Sequence, residues 1–406
     1  MRFSFIVTTC NIESYVTRCL ESLRPCLRAG DEVIVIDDAS TDATPEAVRA
    51  FGAMLPAGIG WQALYLGSNT PGGVGIPANL ALERASGEGV FFVDGDDWLD
   101  APGFIAARDR FEAGRDEILI ANYLEFDERG GAFRGPADRS RWGAVPRVGP
   151  DPLARRLLAL SMIAVPWRKF YRRDLLQRHR IRFPEGDFFY EDNPFHWQVC
   201  LNARGIGFHD RVLCYHRVNR PGQTMMAQGV ELAAFFTHYR TIRSHLPADA
   251  DRSAPALAGA AMRWIVANMS WHLPRLRPSA MWDYAAIAQP VLQGMDAGLW
   301  EAEVAPHYAG KQVGRAAAQL RALPLESVVL LWQAERQAAE TEAMRAQLRA
   351  ALNRLDRLVE GQGRAEARAA TTAAQISALA ALEELRALDG FAAPLPPDGG
   401  DDLTEP

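Results

Sequence analysis

To about residue 130 the chain alternates short apolar runs with stretches whose apolar positions recur at helical spacing, the pattern of successive βαβ units. Phe3–Thr9 reads as a strand, and Ser14 as the cap of a helix carrying Val16, Cys19, Leu20 and Leu23 on one face. Glu32–Asp37 is a second buried strand, after which Thr44 and Pro45 open a helix, a capping residue followed by proline. A third strand is expected over Trp61–Leu66, a helix over Ile76–Ala85 and a fourth strand over Gly89–Asp94. Pro102 opens another helix, and Ile118–Phe126 is strand-like before Glu128–Gly131 turns the chain into a hairpin. Helices and short strands mix from Asp151 to Asn219, and Gln228–Leu325 reads as helical, broken by Pro247, Pro274, Pro278 and Pro290.

Leu331 to Leu388 contains no proline. Leu348, Leu355 and Ile376 fall at one heptad position, with Met344, Ala351, Leu358, Ala365 and Leu379 at its partner, which predicts a coiled coil. Gln362 and Thr372 in the seam, and Gly361 and Gly363 beside it, weaken the pattern. A helical hairpin folding back on the body is the alternative. Pro394–Pro406 is proline-, glycine- and aspartate-rich, and a disordered acidic tail is expected there.

Composition narrows the class. A length of 406 residues implies two or three units, and 48% hydrophobic with 23% charged residues is globular. A net charge of -6 argues against general nucleic-acid binding. Cys10, Cys19, Cys26, Cys200 and Cys214 are odd in number and lack CxxC spacing, which fits reduced thiols in the cytoplasm. The N-terminus shows no charged-then-apolar leader, and no segment approaches the ~20 apolar residues of a membrane span. The expectation is a cytoplasmic protein, at most peripheral at the inner face of a membrane.

The chemistry concentrates in Gly89–Asp100, GVFFVDGDDWLD. A run fit for a strand buried on both faces ends in Asp94, Asp96 and Asp97, and ligands of open α/β sheets bind where such strands end. Three clustered carboxylates repel one another and call for a cation or a cationic partner. Asp94 and Asp96, two apart, leave an extended chain on the same face and suit a hard cation with phosphate oxygens. The second strand also ends in acids, Asp37, Asp38 and Asp42. A polar turn is the plain explanation, but Thr44 and Pro45 already start the helix, so these carboxylates look spare, Asp38 above all.

Together these stretches resemble the inverting family 2 glycosyltransferases, which have a glycosyltransferase A-type fold. The resemblance rests on TTCNIESYVTRCLESL after the first strand, VIDDASTD over Val35–Asp42, the glycine-bearing SNTPGGVGIPANLAL, and Asp94-Gly-Asp-Asp97. It continues through AVPWRKFYRRDLL, Phe183-Pro-Glu-Gly with Tyr190-Glu-Asp192, and CYHRVNRPGQT from Cys214 to Thr224. It implies an α/β, Rossmann-like mixed sheet flanked by helices over 1–225, a helical accessory domain over 226–328, a long helix or coiled coil over 329–390, and the tail over 391–406.

The resemblance also implies roles. Asp38 would hold the base or ribose of a nucleotide-sugar donor, with Thr8 and Thr9 lining the pocket. Asp94 and Asp96 would address ribose and metal, with Asp96 and Asp97 as ligands of Mg²⁺ or Mn²⁺. Arg217 and Arg220 would meet the diphosphate, and His216 is a weaker candidate ligand. Asp192 would be the general base, since Asn193 and Pro194 can start the following helix without it. Glu191, Trp98 and Trp167 are candidates for the acceptor side. Cys10 stands where the family commonly has a stacking tyrosine. The run Arg168, Lys169, Arg172, Arg173, Arg178, Arg180 and Arg182 reads as a solvated face, or as a dock for an anionic surface.

The implied activity is metal-dependent transfer of a sugar from a nucleoside diphosphate, a UDP-sugar first of all, to a saccharide or lipid-linked hydroxyl. A non-catalytic assembly protein acting through its C-terminal helix is the alternative. Phosphohydrolase chemistry would want a hydroxyl soon after the acidic pair, and Trp98-Leu99 supplies none. Without donor and cation, the site is expected to be loose.

Overall fold

Phe3, Phe5, Ile34, Val35, Phe91 and Phe92 are sealed from water, because the apolar runs form the middle of a sheet covered on both faces. In the computed structural model, which describes residues 1–220, 227–248 and 250–389, β1 (Phe3–Thr9), β2 (Glu32–Asp37), β3 (Gly60–Tyr65) and β4 (Gly89–Asp94) are parallel, in the order β3-β2-β1-β4. The crossovers are α1 (Glu13–Leu23), α2 (Thr44–Ala53) and α3 (Gly75–Arg84). The face predicted for α1, from Val16 to Leu23, is buried.

The start of α1 is made differently than expected. Ser14 lies inside the first turn and caps nothing; Ile12 N–H donates to Thr44 Oγ1 (2.9 Å) and Glu13 N–H to Asp42 Oδ2 (3.0 Å). The Glu13 carboxylate in turn accepts from Ala43 N–H (2.8 Å), and Asp42 also accepts from Thr44 N–H (3.0 Å). Two helix N-termini thus satisfy each other's orphan donors. Asp42 is consumed by this exchange and is not a spare carboxylate.

After β4 the chain changes direction. β5 (Trp98–Leu99), α4 (Ala101–Ala113), β6 (Ile118–Asp127), β7 (Ala132–Arg134) and α5 (Pro152–Leu160) lead to β8 (Lys169–Arg172). α6 (Arg173–Arg178), α7 (Asp192–Asn202) and β9 (Ile206–Val218) follow. β8 is antiparallel to both β4 and β6, whereas β9 runs parallel to β6 and antiparallel to β5. Among the described residues, nine strands make one mixed sheet.

The basic run divides: Arg178 and Arg180 are exposed, as a solvated face would be, but its first members are not. Arg168 and Lys169 are fully buried: Arg168 pairs with Asp138 (2.6 Å) and donates to Ala121 O (2.8 Å), while Lys169 Nζ donates to the carbonyls of Ala164 (2.9 Å) and Val165 (2.5 Å). Arg172 serves the carbonyls of Phe111 (3.1 Å) and Gly114 (2.9 Å).

α8 (Ala234–Ser244), α9 (Ala254–His272), α10 (Met281–Gln293), α11 (Ala297–Leu299) and α12 (Gln312–Ala322) belong to the same compact unit as the sheet, Met1–Leu330. The second unit begins at Leu331, within α13 (Leu325–Asp389). Met344, Leu348, Leu355, Leu358, Ile376 and Leu379 on that helix are exposed. No described helix is long and apolar enough to cross a membrane. The expected tail and the 221–224 part of the closing segment lie outside the described residues.

Candidate active site

β1 and β2 end side by side, and their last residues divide the work. Asp37 is buried and accepts from Thr9 Oγ1 (2.9 Å) and Ser40 Oγ (2.7 Å), which shapes the turn through Ala39 at φ 57°. The Thr9 hydroxyl is therefore committed to the turn and does not line an open pocket. Asp38 faces the other way, accepting from Thr70 N–H (2.9 Å), Thr70 Oγ1 (2.8 Å) and Asn69 Nδ2 (3.2 Å). Asn69 and Thr70 lie in the glycine-bearing loop, a pairing across 31 and 32 residues that no local pattern reveals. Cys10 sits beside this group, its thiol donating to Asp38 O (3.4 Å).

Thr8 and Asp94 are partners in the β1–β4 register, and both line a narrow cleft with Val74, Ala78, Pro166 and Phe183. One oxygen from each of Asp94, Asp96 and Asp97 lies within 4.8 Å of the others. Burial, then the charges of Asp97 and Asp96, push the Asp94 carboxyl well above the usual range, and Asp192 adds to that push.

The chain supplies counter-charge from β9, because β5 pairs Trp98 with Tyr215 and so aligns the next residues of β9 with Asp97. His216 Nδ1 lies 2.9 Å from Asp97 Oδ2, and Arg217 N–H donates to Asp97 Oδ1 (2.7 Å). Burial works against an imidazolium there, but the Asp97 carboxylate outweighs it, and His216 is pushed up to about 9. Arg220 Nε forms an ion pair with Asp96 Oδ2. These carboxylates are knit into the fold rather than loose.

The all-oxygen cluster fits a hard divalent cation. Asp94, Asp96 and Asp97 each bring an oxygen to it, Asp97 while also accepting from β9 and Asp96 while also paired with Arg220. His216 is likewise a partner of Asp97, its ring stacked on Trp167 at 4.8 Å. Arg217 is not an open diphosphate group either. Its Nε donates to Asp96 O (3.0 Å), Nη1 pairs with Glu128, and the guanidinium lies 4.5 Å over Tyr15. Arg220 meets the triad through its guanidinium, on Asp96, and Arg217 through its backbone N–H, on Asp97.

Trp98 and Trp167 do not offer sugar-stacking faces. Trp98 is 6% exposed, with the Arg18 guanidinium 3.6 Å over one face and Tyr215 stacked at 5.3 Å. Trp167 is 3% exposed, between His216 and Tyr123.

Asp192 opens α7, and Asn193 Nδ2 donates to its Oδ1 (2.9 Å). Burial raises Asp192 to about 6, against the lowering effect of the Lys169 ammonium, which burial itself brings down to about 7. Glu191 is buried and accepts from Gly75 N–H (2.8 Å), with burial pushing it up to about 7. It ties the Asp192 segment to the glycine-bearing loop. That loop must stay bare of side chains: Gly72 has φ +84°, and a Cβ on Gly73 would collide with the Glu191 carboxylate.

Residues 4–180 match the model of glycosyl transferase family 2. EpsH of Bacillus subtilis is 26% identical over 219 residues, 53% of this chain and 60% of that one. Poly(ribitol-phosphate) beta-N-acetylglucosaminyltransferase TarS of Staphylococcus aureus is 30% identical over 247 residues, 60% of this chain and 40% of that one. The chain thus spans between 40% and 60% of the length of these two relatives. The crystal structure of S. aureus TarS 1–349 in complex with UDP-GlcNAc superposes with a TM-score of 0.64 at 22% identity, covering 83% of this chain and 92% of that one, and shares its fold. With the mixed sheet and the acidic cluster at its carboxyl edge, the chain carries a family 2 glycosyltransferase domain of the glycosyltransferase A type.

Proposed function

We propose that the chain is a metal-dependent inverting glycosyltransferase. It moves a sugar from a nucleoside diphosphate, preferentially UDP, to a hydroxyl of a saccharide, a lipid-linked acceptor or a cell-surface polysaccharide. The observation that carries this reading is the nearness of Asp192, a half-buried carboxylate pushed up to about 6, to the triad at the end of β4, close enough for its charge to raise Asp94. A carboxylate with that value is ionised near neutrality yet basic enough to accept a proton during attack. The name of TarS, a transferase of N-acetylglucosamine, points in the same direction.

Asp38 binds the nucleoside end, Asp94 and Asp96 address the ribose and, with Asp97, the metal, and Arg220 meets the diphosphate. A bound Mg²⁺ or Mn²⁺ would offset charge on the departing diphosphate. Asp192 takes the acceptor hydroxyl proton as that oxygen bonds to the anomeric carbon. The bond to the diphosphate oxygen breaks on the opposite face, so a single displacement inverts the configuration. The exposed leucines of α13 support self-association, with a second copy of the chain as partner.

A panel of nucleotide sugars, assayed for Mn²⁺-dependent hydrolysis and transfer, tests the activity and identifies the donor. Asp192→Asn should keep donor affinity while turnover falls ~10²–10⁴-fold. Asp96→Ala should weaken metal-dependent donor binding itself. Unchanged turnover in both variants would remove the assignment.

A further inference from the structure

The segment that delivers Asp192 has no regular structure of its own between Ile181 and Glu191, yet it is gripped from two sides. On the sheet side, Asn79 Nδ2 donates to Phe183 O (2.8 Å) and Gly75 N–H to Glu191 (2.8 Å). On the other side stands α8 of the helical region, where His238 is fully buried with its Nε2 2.7 Å from the Phe189 carbonyl. A carbonyl only accepts, so this imidazole nitrogen carries the proton. Burial brings His238 down to about 4, which keeps the ring neutral and its Nδ1 unprotonated. Nδ1 is buried and finds no hydrogen-bond partner among the described residues, so the ring's one protein hydrogen bond there is the one to Phe189.

The next residue shows what that bond holds. Tyr190 adopts φ +68°, a left-handed conformation that costs a non-glycine residue roughly 1–3 kcal/mol and persists only where its surroundings impose it. Its ring packs against Phe235 of α8 (4.7 Å) and Trp271 of α9 (6.0 Å), and the Phe188 ring meets His238 edge-on at 5.0 Å. The Tyr190 carbonyl then accepts from Asn193 N–H (3.1 Å) and Nδ2 (3.0 Å), and the same Nδ2 bonds Asp192. A continuous chain of contacts runs from His238 to the carboxylate.

We propose that His238 is a positioning residue for Asp192: its Nε2–H anchors Phe189 and holds the left-handed turn at Tyr190 that aims the carboxylate. The helical region is thereby a working part of the site. The inference rests on Asp192 being the general base.

The test uses the full chain, with UDP-N-acetylglucosamine and the other nucleotide sugars as hydrolysis probes and UDP with Mn²⁺ as the binding probe. His238→Ala should lower kcat on the order of 10-fold to 100-fold, the scale of a misplaced catalytic group, with UDP affinity within about twofold. His238→Gln, whose amide N–H can reach the same carbonyl, should recover most of the loss. It also serves as the reading where His238→Ala does not fold. An unchanged kcat in His238→Ala, or a His238→Gln variant no better than Ala, overturns the proposal. Asp192→Asn run alongside separates the two ideas. Full turnover there removes the base assignment, whereas an inactive Asp192→Asn beside a fully active His238→Ala removes only the positioning role.

Discussion

Asp192 and Lys169 form a pair whose electrostatics are open to measurement. Asp192 must be ionised to accept a proton, and its raised value of about 6 predicts activity that falls as pH drops through that value and is regained above it. The Lys169 charge favours the ionised form, so Lys169→Met should move this acidic limb to higher pH in a pH–rate profile. A limb that stays in place would separate the two groups. Arg220→Ala uncovers Asp96 and deprives the diphosphate of a partner. Calorimetry should show UDP binding weakened about tenfold, the scale of one charged hydrogen bond, with Mn²⁺ alone bound no more weakly. At this scale the sequence was informative about acids and less so about bases. Asp38, Asp94, Asp96 and Asp192 stand where apolar runs or helix starts expose them. The commitments of Thr9, Asp97 and Arg217 depend on partners 28, 119 and 89 residues away, and periodicity carries no trace of them.

β1, β2 and β4 were legible because burial on both faces writes a continuous apolar run, and the observed bounds of all four parallel strands, the half-exposed β3 included, differ from the expected ones by a residue or so. β8 was not, because Lys169-Phe-Tyr-Arg172 reads as a basic stretch until its cations are seen meeting carbonyls. β5 has two residues, too few for any period. Between these elements the glycine-bearing loop and the Asp192 segment touch without room for a side chain. Gly73→Ala should drive its new methyl into Glu191 and displace the start of α7. The expected outcome is a stability loss of about 1–3 kcal/mol in denaturant melts, typical of overpacking, with a larger fractional loss of turnover than of UDP affinity. Turnover matching the parent would mean that the two segments move independently.

At the scale of the molecule, the chain divides inside α13. Its first turns contribute Val328 and Val329 to the buried interior, and further along the side chains from Glu335 to Glu384 are largely exposed. A cut at Pro324 would therefore damage the core. Leu355→Glu with Leu358→Glu in the full chain is the cleaner perturbation. Light scattering should show the parent as an oligomer and the double variant as a monomer with unaltered donor hydrolysis. Equal masses would leave α13 without a role in assembly.

The carboxylates at the end of β4 bring their own cations with them. Arg220 on Asp96 and His216 on Asp97 offset two of the three carboxylates before any metal enters. A divalent ion at this place would be a guest and not a keystone, exchangeable between turnovers and drawn in by the nucleotide. Chelator should accordingly abolish UDP binding yet leave the melting temperature where it was.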